Sequence, residues 1–188
     1  MSDALMSGWK PIARRIRVPL GFLFAAFYLW RAQPTWLSLS IGAAVATVGI
    51  FLRAVASGHV KKNEELATTG PYAYSRNPLY LGSIIIAIGF AIVARDVWIA
   101  VAIALLFAVI YVPVIHFEEA FLRGHFAGYD DYARRVPRLL PHTLLLSSLT
   151  TGFSSQLYLQ HREYNVLIGA ASMLAALVVR MLRFSITW

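Results

Sequence analysis

Apolar residues along the chain fall into five runs separated by short polar or charged segments. The runs cover residues 18–30, 36–56, 79–94, 97–117 and 166–181. A bilayer is crossed by roughly 20 apolar residues, so the second and fourth runs have the length of a span and the first is a short or oblique one. The pattern predicts an all-α fold, a polytopic membrane helix bundle of about five transmembrane helices. Residues 1–188 are expected to form a single membrane domain.

The first two runs are predicted to form an N-terminal helical hairpin over residues 18–56, with its turn at Gln33-Pro34-Thr35. Small side chains recur on roughly one face of the second run, which favours close packing against another helix. These small residues are Gly42, Ala43, Ala46 and Gly49. Arg53, near the end of this run, is expected to extend its charged group to the membrane interface.

The third and fourth runs are divided only by Arg95 and Asp96, which predicts a second tight hairpin with both charges at its far tip. The two outer ends of that hairpin must then lie on the same side of the membrane. This topology brings Arg76 and Asn77 near Glu118 and Glu119.

Residues 69–82, which lead into the third run, combine two prolines with three tyrosines and an arginine. Each residue before a proline is disfavoured in helical geometry, so a helix is predicted to begin at or just after Pro78. The polar side chains of Tyr74, Arg76 and Asn77 then lie at the mouth of a membrane helix. They either line a site or anchor the chain at the headgroups.

Composition supports a membrane protein, because 59% of the residues are hydrophobic and only 14% are charged. The net charge of +8 does not indicate nucleic-acid binding, since the cations cluster beside apolar runs. Their distribution predicts a cytoplasmic N-terminus and a cytoplasmic polar centre. There are no cysteines, which excludes disulfides and thiolate chemistry, and the histidines lack metal-ligand spacing, so no metal site is predicted.

Glu118 and Glu119 follow the fourth apolar run directly. Ionisable residues at membrane depth are costly and commonly mark a functional site. The alternative is that the helix simply leaves the bilayer here, with Glu119 paired to Arg123 one helical turn later.

Several short motifs occur in order over residues 66–141. They are Gly70-Pro71-Tyr72, Arg76-Asn77-Pro78-Leu79-Tyr80-Leu81-Gly82, Glu118-Glu119-Ala120-Phe121-Leu122, Tyr129-Asp130-Asp131-Tyr132 and Val136-Pro137-Arg138 followed by Pro141. In this ordered set the chain resembles the integral-membrane methyltransferases of the isoprenylcysteine carboxyl methyltransferase and phospholipid methyltransferase type. Residues 66–141 are therefore expected to be the catalytic region. Residues 142–188, a C-terminal extension with a further transmembrane helix, have no counterpart in the pattern.

The resemblance implies S-adenosyl-L-methionine as cofactor, bound in a pocket on the cytoplasmic side, and a lipophilic acceptor that approaches from the bilayer. Four residues are implied in catalysis: Arg76, Glu118, Glu119 and Arg138. A larger set is implied in cofactor binding: Tyr74, Asn77, Pro78, Tyr80, Leu81, Gly82, Glu118, Glu119, Tyr132 and Arg138. The Tyr80 ring offers a π face to the sulfonium, the glutamates accept from the ammonium or ribose, and Arg138 or Arg76 pairs with the carboxylate.

Asn77 departs from the motif, which usually has histidine at this position. Two interpretations stay open. Its side chain either caps the helix that begins at Pro78, or contacts the cofactor through both amide functions. The acceptor also stays open between an isoprenylcysteine-type carboxylate, which needs no general base, and a lipid amine, which does.

Two other classes of protein remain in competition. Membrane sterol reductases, which use a nicotinamide cofactor, resemble this architecture in their C-terminal half but are much longer. A non-catalytic membrane scaffold subunit would use the same prolines and tyrosines only to shape helix ends. The protein is expected to be a multi-pass protein of the inner membrane in a prokaryote or the endoplasmic reticulum in a eukaryote, with membrane lipids as partners. The C-terminal helix, which the resemblance does not cover, is expected to be either a lipid-facing wall or an oligomer contact.

Overall fold

A computed structural model describes residues 21–61, 64–141 and 152–186. Within these ranges the chain is helical, with no β-strand, which confirms the predicted fold class. The helices are α1 (described over 21–31), α2 (Trp36–Ser57), α3 (Pro78–Ala94), α4 (Val97–His125), α5 (Tyr129–Arg135), α6 (Ser155–Gln160) and α7 (Tyr164–Ile186). A short 3-10 turn, Gly70–Ala73, precedes α3. The basic lead 1–17 and residues 142–151 lie outside the described residues.

Three of the described helices are long and apolar enough to cross a membrane, namely α2, α4 and the Tyr164–Arg183 part of α7. The 17-residue α3 is equally apolar but shorter. The chain is therefore a polytopic integral membrane protein. The count of five spans and their orientation stay predictions.

Helices α2 and α3 are in close contact along their length, and glycines make this contact. A Cβ atom built on Gly42 would lie 2.4 Å from the carbonyl oxygen of Gly89, and one on Gly49 would lie 2.6 Å from that of Gly82. Backbone therefore meets backbone along this seam, and the small-residue face predicted for the second run is confirmed.

The tips of the two hairpins meet at one end of the bundle. The Arg31 guanidinium pairs with the Asp96 carboxylate at 2.7 Å, and the N–H of Gln33 donates to the carbonyl of Ala94 at 2.9 Å. Asp96 also caps α4 by accepting from the backbone N–H of Trp98. The turn itself is closed by Arg95 in the left-handed region, at φ 51°. The predicted second hairpin is confirmed.

Helix α4 does not end where the fourth apolar run ends. It passes through Glu118 and Glu119 and continues to His125, with a π-helical stretch at Phe107–Tyr111. The two glutamates therefore follow the apolar run without ending the helix. Arginines from other elements neutralise Glu119 within this helix.

Helix α7 crosses the bundle and packs Leu177 into a buried cluster with Tyr28 of α1 and Val93 of α3. Near its start, Glu163 forms a buried ion pair with Arg53 of α2. The expectation that Arg53 extends to the interface is wrong, because this partner holds its guanidinium inside the protein.

Candidate functional site

The polar cluster of the molecule lies at the end of the bundle away from the hairpin tips. Three elements meet there: the first turn of α3, the second half of α4, and residues 136–138 after α5. The backbone N–H of Arg76 donates to the carbonyl of Pro137 at 2.9 Å, which joins the first and third of these elements. The hairpin topology inferred from the sequence thus brings the two ends together as expected.

Glu119 is the centre of this cluster. Its buried carboxylate accepts from Arg138 through Nη2 at 2.7 Å and Nε at 3.1 Å. Arg76 Nη1 lies 3.4 Å away, and Asn77 Nδ2 donates from 3.3 Å. The i, i+4 alternative for Glu119 is not seen, because Arg123 pairs with Asp130 instead. Three side chains from two other parts of the chain, Arg76 and Asn77 before α3 and Arg138 after α5, therefore converge on one carboxylate.

Glu118 points elsewhere, since neighbouring residues on a helix are about 100° apart around its axis. It is exposed and accepts a hydrogen bond from the Tyr80 hydroxyl at 2.7 Å. The Tyr80 ring in turn makes an edge contact with Tyr111, which lies in the π-helical stretch. π-Helical turns often occur at functional sites. The two adjacent glutamates thus form two neighbouring parts of the site.

Asn77 precedes α3, but its side chain makes no capping hydrogen bond to that helix. Its amide nitrogen donates to Glu119 and, at 3.1 Å, to the carbonyl of Arg138. The capping interpretation is therefore wrong. The amide instead cross-links the start of α3 to α4 and to the segment after α5.

Two tyrosines of α5 form hydrogen bonds with residues next to the cluster. The Tyr132 hydroxyl donates to the carbonyl of Tyr72 at 2.8 Å, and Tyr129 accepts from Arg76 Nη1 at 3.3 Å. Burial raises the pKa of the Tyr132 phenol well above its usual value, so it remains a hydrogen-bond donor at neutral pH. Tyr132, a predicted cofactor-binding residue, therefore contacts the turn before α3.

A polar cleft of about 550 Å³ opens beside Glu119. Its lining comprises Arg76, His116, Glu119, Ala120, Arg123, Asp130, Ala133, Arg134 and Arg138. Three of the predicted site residues, Arg76, Glu119 and Arg138, line it. Sequence reasoning missed His116, although its i, i+3 spacing to Glu119 places both on one face of α4.

The other predicted residues lie around this centre. Tyr74 follows the 3-10 turn, Pro78 is buried at the start of α3, and Leu81 is half-buried. Gly82 faces α2, where a Cβ atom would lie 2.6 Å from Arg53 Cγ. Among the residues that the structure describes, no group of three or more His, Cys, Asp or Glu side chains could hold a metal ion.

Comparison with known proteins shows the family to which the chain belongs. The model of the phospholipid methyltransferase family matches residues 21–128, more than half of the chain. The chain therefore belongs to the phospholipid methyltransferase family. No solved structure matches it.

Individual relatives carry two kinds of name. The chain is 36% identical to the nickel-cobalt-cadmium resistance protein NccN of Alcaligenes xylosoxydans xylosoxydans, over 62% of this chain and 57% of that protein. It is 31% identical to the cobalt-zinc-cadmium resistance protein CzcN of Cupriavidus metallidurans, over 76% and 66%. It is 26% identical to the protein-S-isoprenylcysteine O-methyltransferase of Schizosaccharomyces pombe, over 74% and 62%. The chain thus spans between half and two thirds of the length of these relatives.

Proposed function

We propose that this protein is an S-adenosyl-L-methionine-dependent membrane methyltransferase that methylates a lipophilic acceptor at the membrane interface. The observation that carries the proposal is the convergence of Arg76, Asn77 and Arg138 on the buried carboxylate of Glu119. These residues stand in the motifs that resemble the methyltransferase pattern, and they lie within or beside the part of the chain that matches the family.

The residues present fit the charges of such a cofactor. Its carboxylate needs a cation, and the Arg138 side chain is 44% exposed beside the cleft. Its ammonium needs an acceptor, and Glu118 is an exposed carboxylate held by Tyr80. Within the described residues, Arg76 Nε is buried without a hydrogen-bond partner, a donor that a bound ligand can satisfy.

When bound, S-adenosyl-L-methionine supplies an electrophilic methyl group on a sulfonium. The protein's part is to orient and to exclude water. Glu119 fixes the direction of the Arg138 guanidinium, and Asn77 keeps Glu119 in place. Tyr80 presents its ring at the edge of the site, where a cation can rest on its face. Arg76, Glu118, Glu119 and Arg138 are the residues that we assign to the reaction.

The cleft favours a carboxylate acceptor over an amine. Four arginines and His116 line it, against the carboxylates of Glu119 and Asp130. An excess of positive charge attracts an anionic group and repels an ammonium. A carboxylate also attacks without losing a proton, whereas an amine needs a base to remove one. Glu119 is ion-paired with Arg138 and is therefore poorly suited to be that base.

The site is proposed to face the cytoplasm, because the internal segments of the predicted topology hold most of the lysines and arginines. The chain has no cysteine, so single cysteines can report sidedness. A cysteine at Asp96, on the hairpin tip, should react with a membrane-impermeant maleimide only from outside. Reaction only from the cytoplasmic side would reverse the topology.

Methyl transfer can be tested with methyl-labelled S-adenosyl-L-methionine and lipid extracts, using the purified protein in nanodiscs. We expect label in an apolar product, released as methanol by mild base, as a carboxyl methyl ester requires. Label that resists base would indicate an amine acceptor. Absence of transfer to any extract, by a protein that is folded, would contradict the proposed reaction. Glu119→Gln is the negative control.

A further inference from the structure

The segment from Ser154 to Glu163, which contains α6, is fastened to the end of α2. The backbone N–H of Ser154 donates to the carbonyl of Gly58 at 3.0 Å. His161 Nδ1 lies 3.1 Å from the carbonyl of Ser57 and must be the donor, since a carbonyl only accepts. Glu163 pairs with Arg53. Ser154, His161 and Glu163 are together called the C-terminal brace.

The Arg53–Glu163 pair is the strongest contact of this brace. Arg53 donates to both carboxylate oxygens of Glu163, with Nη2 at 2.8 and 2.9 Å and Nε at 3.0 Å. The two side chains are only 17% and 14% exposed. A charge buried to this extent is stable only while its partner is present.

The same guanidinium also reaches α3. Arg53 Nη1 donates to the carbonyl of Leu79 at 3.2 Å and to the Ser83 hydroxyl. The aliphatic stem of Arg53 fills the space beside Gly82, where a Cβ atom would lie 2.6 Å from its Cγ. One side chain of α2 therefore holds the start of α3 through Leu79 and Ser83.

Tyr80 lies in that same turn, next to Leu79. Its hydroxyl donates to Glu118, while its backbone N–H donates to the carbonyl of Asn77 at 3.1 Å. A continuous line of contacts thus runs from Glu163 through Arg53 and the first turn of α3 to the Tyr80–Glu118 hydrogen bond.

We propose that Glu163 is a positioning residue for the site. By holding the Arg53 guanidinium against Leu79 and Ser83, it fixes the first turn of α3 and so the place of Tyr80. Glu163 lies outside residues 21–128, the part of the chain that matches the family. The C-terminal extension therefore helps to position residues of the site. The inference rests on the proposed function, because Tyr80 is assigned there to the cofactor.

The test uses the full chain in nanodiscs with two variants and one control. Glu163→Gln removes the charge that holds Arg53. Ser83→Ala keeps the ion pair but removes one of the groups that Arg53 grips. Glu65→Gln is the matched control, because Glu65 forms an exposed pair with Lys61 away from the site.

Two quantities are measured: the Kd of S-adenosylhomocysteine by calorimetry, and hydrogen exchange of the peptide covering 79–83. For Glu163→Gln we expect the Kd to rise at least fivefold and the exchange to accelerate at least fivefold. For Ser83→Ala the Kd should rise at least twofold with an unchanged Tm. Glu65→Gln should match the wild type in both.

A Glu163→Gln protein with a lowered Tm but wild-type Kd and exchange would reduce the pair to a structural contact and overturn the inference. If Glu163→Gln does not fold, Ser83→Ala is the deciding variant. A Ser83→Ala protein with wild-type Kd and wild-type exchange would then overturn the inference. If the wild-type protein itself binds no S-adenosylhomocysteine, the proposed function fails. Exchange then decides alone: faster exchange upholds the positioning of α3 by Glu163, and unchanged exchange refutes it.

Discussion

Glu119→Gln removes one negative charge while keeping the shape of the side chain. The glutamine has one oxygen and one NH₂ group in place of two acceptor oxygens. Arg138 reaches one of these oxygens, while Arg76 and Asn77 reach the other. The NH₂ group must therefore face a donor on one of the two sides.

The magnitude follows from the exposure of the two arginines. Removing one member of a buried ion pair costs about 3–5 kcal/mol. Arg76, at 12% exposed, approaches this case, but Arg138, at 44%, is partly screened by solvent. We therefore expect a loss of about 2–3 kcal/mol, shared between stability and ligand affinity. A loss of about 1.4 kcal/mol in affinity already raises the Kd of S-adenosylhomocysteine tenfold.

The assay is calorimetric titration with S-adenosylhomocysteine, together with a thermal melt of each protein. We expect Glu119→Gln to lose at least tenfold in affinity and to melt at a lower temperature. Glu118→Gln should lose affinity with little change in melting, because Glu118 is exposed and accepts its hydrogen bond from the Tyr80 hydroxyl at the surface. Glu65→Gln, on an exposed pair, controls for the substitution itself. Wild-type affinity and melting for Glu119→Gln would refute the view that this carboxylate organises the site.

Three further substitutions test the helix seam and the supports of the site. Asn77→Asp removes a donor and places a second carboxylate beside Glu119, so its Kd for S-adenosylhomocysteine should rise at least tenfold; wild-type affinity would contradict this. Gly42→Ala should lower stability to thermal or denaturant unfolding by about 1–3 kcal/mol. Gly169→Ala, with open space around it, should not lower it, and equal effects would argue against the close seam. Tyr132→Phe should cost about 1 kcal/mol in unfolding at neutral pH. Burial raises the folded-state pKa of Tyr132 above its value in the unfolded chain. The stability that Tyr132 contributes is therefore complete below pH about 10 and decreases as the pH rises above that value. The Tyr132→Phe variant should lack this part of the decrease in stability at alkaline pH.

Local patterns predicted the elements of the fold well. Pro78 starts α3 because proline lacks an N–H and suits the first helical turn. The charged pair Arg95–Asp96 ends one apolar run and starts the next, which allows only a tight turn. The small residues of α2 recur with helical spacing, and the structure places α3 against them. Each of these features depends on neighbours that are close in the sequence.

The features that sequence reasoning missed depend on partners far along the chain. Arg53 has the position of an interfacial cation, and nothing near it indicates a partner 110 residues away in Glu163. The predicted hairpin brought Arg76 near Glu119, but nothing near Glu119 in the sequence indicates that Arg138, from the segment after α5, pairs with it. Asn77 occupies the capping position, but its amide turns to Glu119 because that carboxylate is buried beside it. Whether these residues hold a cofactor stays a prediction.

The central claim is that this site binds an S-adenosyl cofactor through Glu119 and Arg138. The most direct test is calorimetric titration of the wild-type protein, Arg138→Ala and Arg135→Ala with S-adenosylhomocysteine, with NADPH titrated in parallel. Arg138 contacts Glu119, whereas Arg135 is exposed and, among the described residues, donates to the backbone carbonyl of Asp131. We predict saturable binding of S-adenosylhomocysteine, at least tenfold weaker in Arg138→Ala and unchanged in Arg135→Ala, and no binding of NADPH. Saturable binding of NADPH, or a folded wild-type protein that binds neither ligand, would contradict the account.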